Sequence, residues 1–157
     1  MQSDSGFTFI ELAITIAIFA VLAAIAIPNM IRWKSNAQFR ASVNTLAGDL
    51  ALAKQAAIRG NANAVVTFSD TGYSIFLDDG SGGGTINDGD QDGSEATLRD
   101  RTFPAGVAID SRSMTFPGSS TYFDGKGLCT ATGSLSIYNS SDQRSISVNR
   151  IGRIDVN

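Results

Sequence analysis

Residues 12–27 carry no charge and only one hydroxyl, on Thr15. In lipid every backbone amide and carbonyl must be paired within the segment, so such a run is confined to a helix there. It falls slightly short of the about 20 residues a helix needs to cross a bilayer, but residues 7–10 and Met30-Ile31 extend it on both sides. A single acid, Glu11, stands at its mouth. Placing a carboxylate near hydrocarbon costs roughly 2.5–3.5 kcal/mol on insertion scales, so the residue calls for a reason. The ordinary alternative is a cleaved secretory signal, with Ala24-Ile25-Ala26 as its small-residue site. That reading lacks a basic leader, because Asp4 is the only charge before Glu11, and it leaves Glu11 unexplained. Arg32 and Lys34 follow the run and no basic residue precedes it, so charge counting alone favours the reverse topology.

Beyond the run the charges separate. Arg32, Lys34, Arg40, Lys54 and Arg59 face one acid, Asp49; then Asp70, Asp78, Asp79, Asp88, Asp90, Asp92 and Glu95 follow without a basic residue between them. The net charge of −3 gives no reason to expect a nucleic-acid partner. The chain has no His, which removes the commonest general base and transition-metal ligand. Cys129 is the only cysteine, so neither an intrachain disulfide nor a Cys-rich zinc site can form. A catalytic thiolate without a His is not expected. No pair of acids falls in an expected apolar cleft, and Gly82-Gly83-Gly84 is followed by no Walker lysine. The chain is therefore read as a non-enzyme.

Pro28 removes one amide donor and should kink or loosen the helix. Past it, Phe39, Val43, Leu46, Leu50, Ala53 and Ala57 recur at alternating spacings of four and three, which is one apolar stripe on a helix. The spacing predicts a helix over residues 7–59, with Gly60-Asn61 as its C-cap and Lys54 and Arg59 favouring its dipole. Arg32, Lys34, Arg40 and Asp49 mostly avoid the stripe. From Ala62 the period becomes that of strands. Residues 64–68 and 73–77 read as a hairpin, and a polar loop covers 78–93. Further strands are expected at 96–103, 107–109, 113–116, 121–123, 134–138, 144–149 and 153–156. Short strands with frequent turns argue for antiparallel sheets packed on the helix stripe.

The run Gly6-Phe7-Thr8-Phe9-Ile10-Glu11 resembles the class III signal of the type IV pilin superfamily, with Phe9 where Leu is commoner and a leader without the usual basic residue. The order of weaker elements is similar to that of type II secretion pseudopilin H and the FimT/FimU minor pilins. These elements are the strand Tyr73 to Leu77 entering an acidic Gly loop, Leu98-Arg99, Phe123 to Gly127, and a last strand with Gly152-Arg153. The resemblance implies an α+β, pilin-like fold with a long N-terminal helix. Its first half would span the membrane, and its amphipathic second half would pack on antiparallel β-sheets. It implies residues 1–6 as a prepilin leader, 7–31 as the transmembrane and filament-core helix, 32–60 as its amphipathic continuation and 61–157 as a β-rich globular domain. It further implies cleavage between Gly6 and Phe7 by a prepilin peptidase, N-methylation of Phe7, and a role for Glu11 in subunit assembly. Pro28 is the position at which such helices soften. The protein would be a single-pass bacterial inner-membrane subunit, partnered by other pilins or pseudopilins, with its C-terminal domain in the periplasm or on a filament.

Two constellations outside this frame were candidates for ligands. Asp88, Asp90 and Asp92, with Gly93, have the form that opens an EF-hand loop, but Arg99 occupies the place of its bidentate Glu. A calcium site and a solvated acidic loop both remain readings of this segment, and no other cofactor is expected. Arg144, Arg150 and Arg153 form a basic series near the C-terminus. Some FimT-like proteins bind DNA through a Gly-Arg-x-Arg element, which would make this a membrane-anchored DNA-binding minor pilin. Here the second Arg of that element is replaced by Asp155, which weakens phosphate attraction.

Overall fold

The computed structural model describes residues 7–157. Helix α1 runs over Phe9–Gly60 and continues through Pro28. The chain divides into two compact units, residues 1–35 and 36–157.

In the first unit, every described residue from Phe7 to Leu22 is exposed, with Phe7 and Phe9 both at 86%. The 18-residue window of highest hydropathy has none of its residues buried. Its one hydroxyl is satisfied internally, since Thr15 Oγ1 donates to the Leu12 carbonyl at 2.8 Å. A helix that is apolar all round and unpacked is suited to lipid or to other helices.

In the second unit the stripe is buried as its spacing requires: Phe39, Leu46, Leu50, Ala53 and Ala57 are inaccessible and Val43 nearly so. Eight strands follow: β1 (Asn63–Ser69), β2 (Gly72–Asp78), β3 (Thr97–Thr102), β4 (Ala108–Asp110), β5 (Ser120–Phe123), β6 (Gly133–Tyr138), β7 (Gln143–Val148) and β8 (Ile154–Val156). They form two four-stranded sheets of order β3-β2-β1-β5 and β4-β6-β7-β8. All pairs are antiparallel. The stripe shares one core with Ala64, Val66, Phe68, Ile75 and Phe123 of the first sheet and Ile109, Leu135, Ile137, Ile146 and Val148 of the second. Burying each large side chain contributes about 1.5–3 kcal/mol, so this shared core is what fixes the sheets on the helix.

The expected Gly60-Asn61 cap forms, with Asn61 as its left-handed residue (φ 49°), and the Ala62 amide donates back to the Ala57 carbonyl at 3.3 Å. This six-to-one bond is the Schellman closure, with Asn in the place usually held by Gly. Asn61→Ala is expected to cost about 1–2 kcal/mol, because a Cβ without a local polar partner is disfavoured in that conformation. A denaturant melt against Asn61→Gly, which should be near neutral, checks this. The expected strand 113–116 does not form. Asp110 caps a turn there, its Oδ1 taking the Arg112 amide and its carbonyl the Ser113 amide, and Pro117 follows. Phe116 is instead buried and stacked on Phe68, with ring centroids 5.2 Å apart.

Candidate functional site

Helix α1 begins with a reciprocal pair. The Thr8 amide and hydroxyl both donate to Glu11 Oε2, at 2.9 and 2.8 Å, and the Glu11 amide donates to Thr8 Oγ1 at 3.3 Å. This is a capping box: residues N-cap and N3 satisfy each other's orphan amides, and the carboxylate sits at the positive end of the helix dipole. Sequence reasoning treated Glu11 as an anomaly and overlooked the signal, a Thr-x-x-Glu ahead of an apolar run. Among the described residues Oε1 of the same carboxylate accepts no hydrogen bond, while Oε2 takes both Thr8 donors. Gly6 lies outside the described residues, and Phe7 is exposed.

The second unit contains a charge that the stripe concealed. Asp49 is buried, contrary to its expected place off the core. Its Oδ2 accepts from the Tyr73 hydroxyl at 2.7 Å and from Arg101 Nε at 3.1 Å, and its Oδ1 from Arg99 Nε at 3.4 Å. Three residues of β2 and β3 thus converge on one carboxylate of α1. Burial, then the hydrogen bond to Asp49, pushes the Tyr73 phenol well above its ordinary value. The hydrogen bond and charge of Asp49 push Arg101 up as well. This explains the Leu98-Arg99 element: the arginine reaches the helix while Leu98 packs against the core.

The acidic loop is organised from beneath by acids other than Asp88, Asp90 and Asp92, the three that one of its two readings gave to calcium. Asp78, fully buried, accepts the Asn87 amide at 2.5 Å and the Gly89 amide at 2.8 Å. Buried Glu95 accepts the amides of Gly80 and Asp92. Of those three, Asp92 accepts the Thr85 amide with both oxygens and Asp88 closes a turn on the Asp90 amide. Among the described residues no three acids, His or Cys are gathered as a metal would need. The side chains of the loop serve its own backbone.

The arginine series is likewise divided. Arg144 shares the face of Ile146 and Val148 and lines a cleft with Phe39, Arg40, Val43 and Val156. Arg150 and Arg153 lie at the β7–β8 turn, on the order of 20 Å away along the strand. Arg153 is paired with Asp155 at 2.8 Å on the outer face, so the acid that departs from the DNA-binding element also neutralises its arginine. All three arginines are exposed, but they do not make one patch.

A third feature ties the chain's last strands to the helix. Lys54 Nζ donates to the carbonyls of Ile151 and Gly152, both at 3.0 Å. Gly152 has φ 68° and its Cα faces the Gly127 carbonyl so closely that a side chain would not fit. This is why the Phe123 to Gly127 and Gly152-Arg153 elements belong together, and Lys54 is more than a dipole partner.

Residues 42–152 match the family described as type II transport protein GspH. The chain belongs to the GspH family. Residues 1–27 also match the prokaryotic N-terminal methylation motif. A fimbrial protein of Pseudomonas aeruginosa is 34% identical over 122 residues, covering 73% of this chain and 79% of that protein. The fold is similar to that of the minor pseudopilin EpsH from the type 2 secretion system of Vibrio cholerae, with a TM-score of 0.55 and 15% identity. That alignment covers 76% of this chain and 96% of EpsH. It is also similar to the type IV minor pilin FimU of Pseudomonas aeruginosa, with a TM-score of 0.58 and 17% identity over 80% of this chain and 92% of FimU. The GspH-family chain therefore has a pilin-like fold and is a minor pilin or pseudopilin subunit of a type II secretion or type IV pilus system. Its family and its structural neighbours are structural subunits.

Proposed function

We propose that this GspH-family subunit is cut between Gly6 and Phe7, methylated on Phe7, held in the inner membrane by residues 7–31 and assembled with other pilins or pseudopilins through that segment. The observation that carries the reading is an apolar helix exposed on every side, headed by one carboxylate whose Oε1 accepts no hydrogen bond among the described residues. Cleavage would turn the Phe7 amide into an ammonium. In a bundle of such helices, the ammonium of a neighbouring subunit can pair with Glu11 Oε1 while Oε2 stays with Thr8. In low dielectric an unpaired charge is strongly unfavourable, so a subunit out of register is rejected and the pair sets the stagger. Pro28 supplies the local loss of a backbone hydrogen bond at which the helix can adapt. The periplasmic placement of residues 61–157 and the prepilin peptidase as processing partner follow from the same reading. N-terminal sequencing and mass analysis of the mature chain test it: a methylated Phe7 is expected, and a start near Ile27 would make the segment an ordinary secretory signal.

The DNA-uptake reading is not adopted, because Arg153 is already paired with Asp155 and Arg144 lies apart from it.

A further inference from the structure

We propose that a cleft between the last turns of α1 and the first sheet is a docking site for a different pilin or pseudopilin subunit, which inserts an aliphatic side chain there and sets the adjacent carboxylate on Arg59 and Arg99. This rests on the filament-subunit reading and adds one surface by which unlike subunits meet.

Leu52, Ala56 and Arg59 recur at spacings of four and three on α1, a second line beside the buried stripe. This line is not fully covered: Leu52 and Ala56 are half-buried and Arg59 is exposed. Opposite stand Leu77 of β2 and Leu98 and Arg99 of β3, all half-buried. With Gln55 and Gly60 these residues line a cleft of about 520 Å³. Clefts of about 300–1,000 Å³ with apolar walls and a few polar groups are the usual form of a binding site.

Two local features build it. Ile75 pairs with Arg99 and Phe76 with Thr97, which leaves Leu98 as the extra residue of a bulge in β3. In a regular strand Leu98 and Arg99 would point to opposite faces. The bulge re-aims one of them, so Leu98 packs against the core while Arg99 reaches Asp49 on the same helix side. Gly60 is the second feature. A Cβ there would lie 2.9 Å from Leu77 Cδ2, so Leu77 packs over a residue without a side chain.

The mouth of the cleft is cationic. Arg59 makes no ion pair among the described residues. Arg99 gives Nε to Asp49 at 3.4 Å and Nη1 to the Leu98 carbonyl at 2.7 Å, and its Nη2 donates no hydrogen bond among the described residues. A guanidinium is a planar fork whose best partner is a carboxylate. An aliphatic wall beneath two guanidinium groups is therefore complementary to an aliphatic residue next to Asp or Glu. The sheets of a second copy do not offer that pair. Asp155 is the strand acid that stands between two aliphatic residues, Ile154 and Val156, and it is paired with Arg153. The same bulge blunts β3 as an edge for strand pairing, so the contact is made by side chains and not by an added strand.

The test places the photo-crosslinker benzoylphenylalanine at Gln55, exposed on the rim, in the full chain in its native membrane with its filament system. A crosslink is expected to another subunit that carries the N-terminal methylation motif, at a peptide with Asp or Glu beside an aliphatic residue. Arg59→Glu should lower its yield by about tenfold, and changing that partner acid to Arg should restore it. Ala56→Trp fills the cleft, leaves both arginines and should lower the yield by a similar factor. Thermal melts of the two variants check that the globular unit stays folded. A crosslink to a second copy or to lipid, or a yield indifferent to either variant, overturns the contact. So does the lack of any crosslink, in membranes or filaments, while the unsubstituted chain is recovered in sheared filaments; the filament reading then stands. Absence of the unsubstituted chain from filaments would instead defeat the filament reading, and the contact with it.

Discussion

A subunit carrying Glu11→Gln is expected to be processed at Gly6 like the wild type and to be lost from filaments by about tenfold or more. The substitution separates the two tasks of this side chain. Gln serves as well as Glu at the N3 position of a capping box, so the bonds with Thr8 survive and the helix still starts at the same place. Only the charge is removed. If the neighbouring ammonium is then buried without a partner, the penalty is about 3–5 kcal/mol, and about 1.4 kcal/mol of it is already a factor of ten. Glu11→Ala removes the cap as well, adding about 0.5–2 kcal/mol of local destabilisation. Thr8→Ala weakens the cap but keeps the charge and should assemble nearly normally. The expected order of defect is therefore Glu11→Ala at least equal to Glu11→Gln, with Thr8→Ala far behind. The readout is the ratio of subunit in sheared filaments to subunit in membranes. If Glu11→Gln assembles normally and Thr8→Ala does not, the carboxylate is a cap and the pairing mechanism is wrong.

What could be read from the chain depended on how far apart the interacting residues lie. The stripe from Phe39 to Ala57 was legible because its neighbours are three and four residues apart, and all six positions are in the core. The β1–β2 hairpin was legible because Asp70 and Thr71 close it locally between Ser69 and Gly72. Capping at Thr8 and Glu11 was equally local and could have been found from spacing alone. Asp49 could not. It lies beside the stripe, where an acid on a helix is ordinarily solvated, and its partners are 24, 50 and 52 residues away. Lys54 is a similar case, with carbonyl partners 97 and 98 residues distant. A side chain's carbonyl partner leaves no mark in sequence, because every residue carries a carbonyl. The acidic loop is a related case: its alternating Asp residues do not reveal that the buried Asp78 and Glu95 accept backbone amides of the loop.

The largest stability effect outside the apolar core is expected at Asp49. Asp49→Ala should cost about 2–4 kcal/mol, from the lost charge-assisted bond and the buried Tyr73 hydroxyl left without its acceptor. The arginines contribute less, since Arg99 and Arg101 are 40% and 47% exposed at the side chain and return to water when Asp49 is removed. Tyr73→Phe alone removes the donor while Asp49 keeps both guanidinium groups, so its cost should be smaller, about 1–2 kcal/mol. The double variant should fall short of the sum by about 0.5–3 kcal/mol, because both changes break one bond. Alkaline titration gives an independent reading. The folded state holds the Tyr73 proton above the ordinary phenol value, through burial and then the bond to Asp49. Below about pH 9, a unit under the ordinary phenol value of about 10, Tyr73 is neutral in folded and unfolded chains alike, and its contribution is fully present. Above that pH the unfolded chain releases the proton and the folded chain does not, so the unfolded state binds fewer protons and stability falls as pH rises. The slope is at most about 1.36 kcal/mol per pH unit from this group. Denaturant melts of wild type and Tyr73→Phe at pH 8, 10 and 11 should therefore converge as pH rises. A gap between the two that stays constant over this range would mean that the folded state, by burial and the Asp49 bond, does not hold the phenol proton.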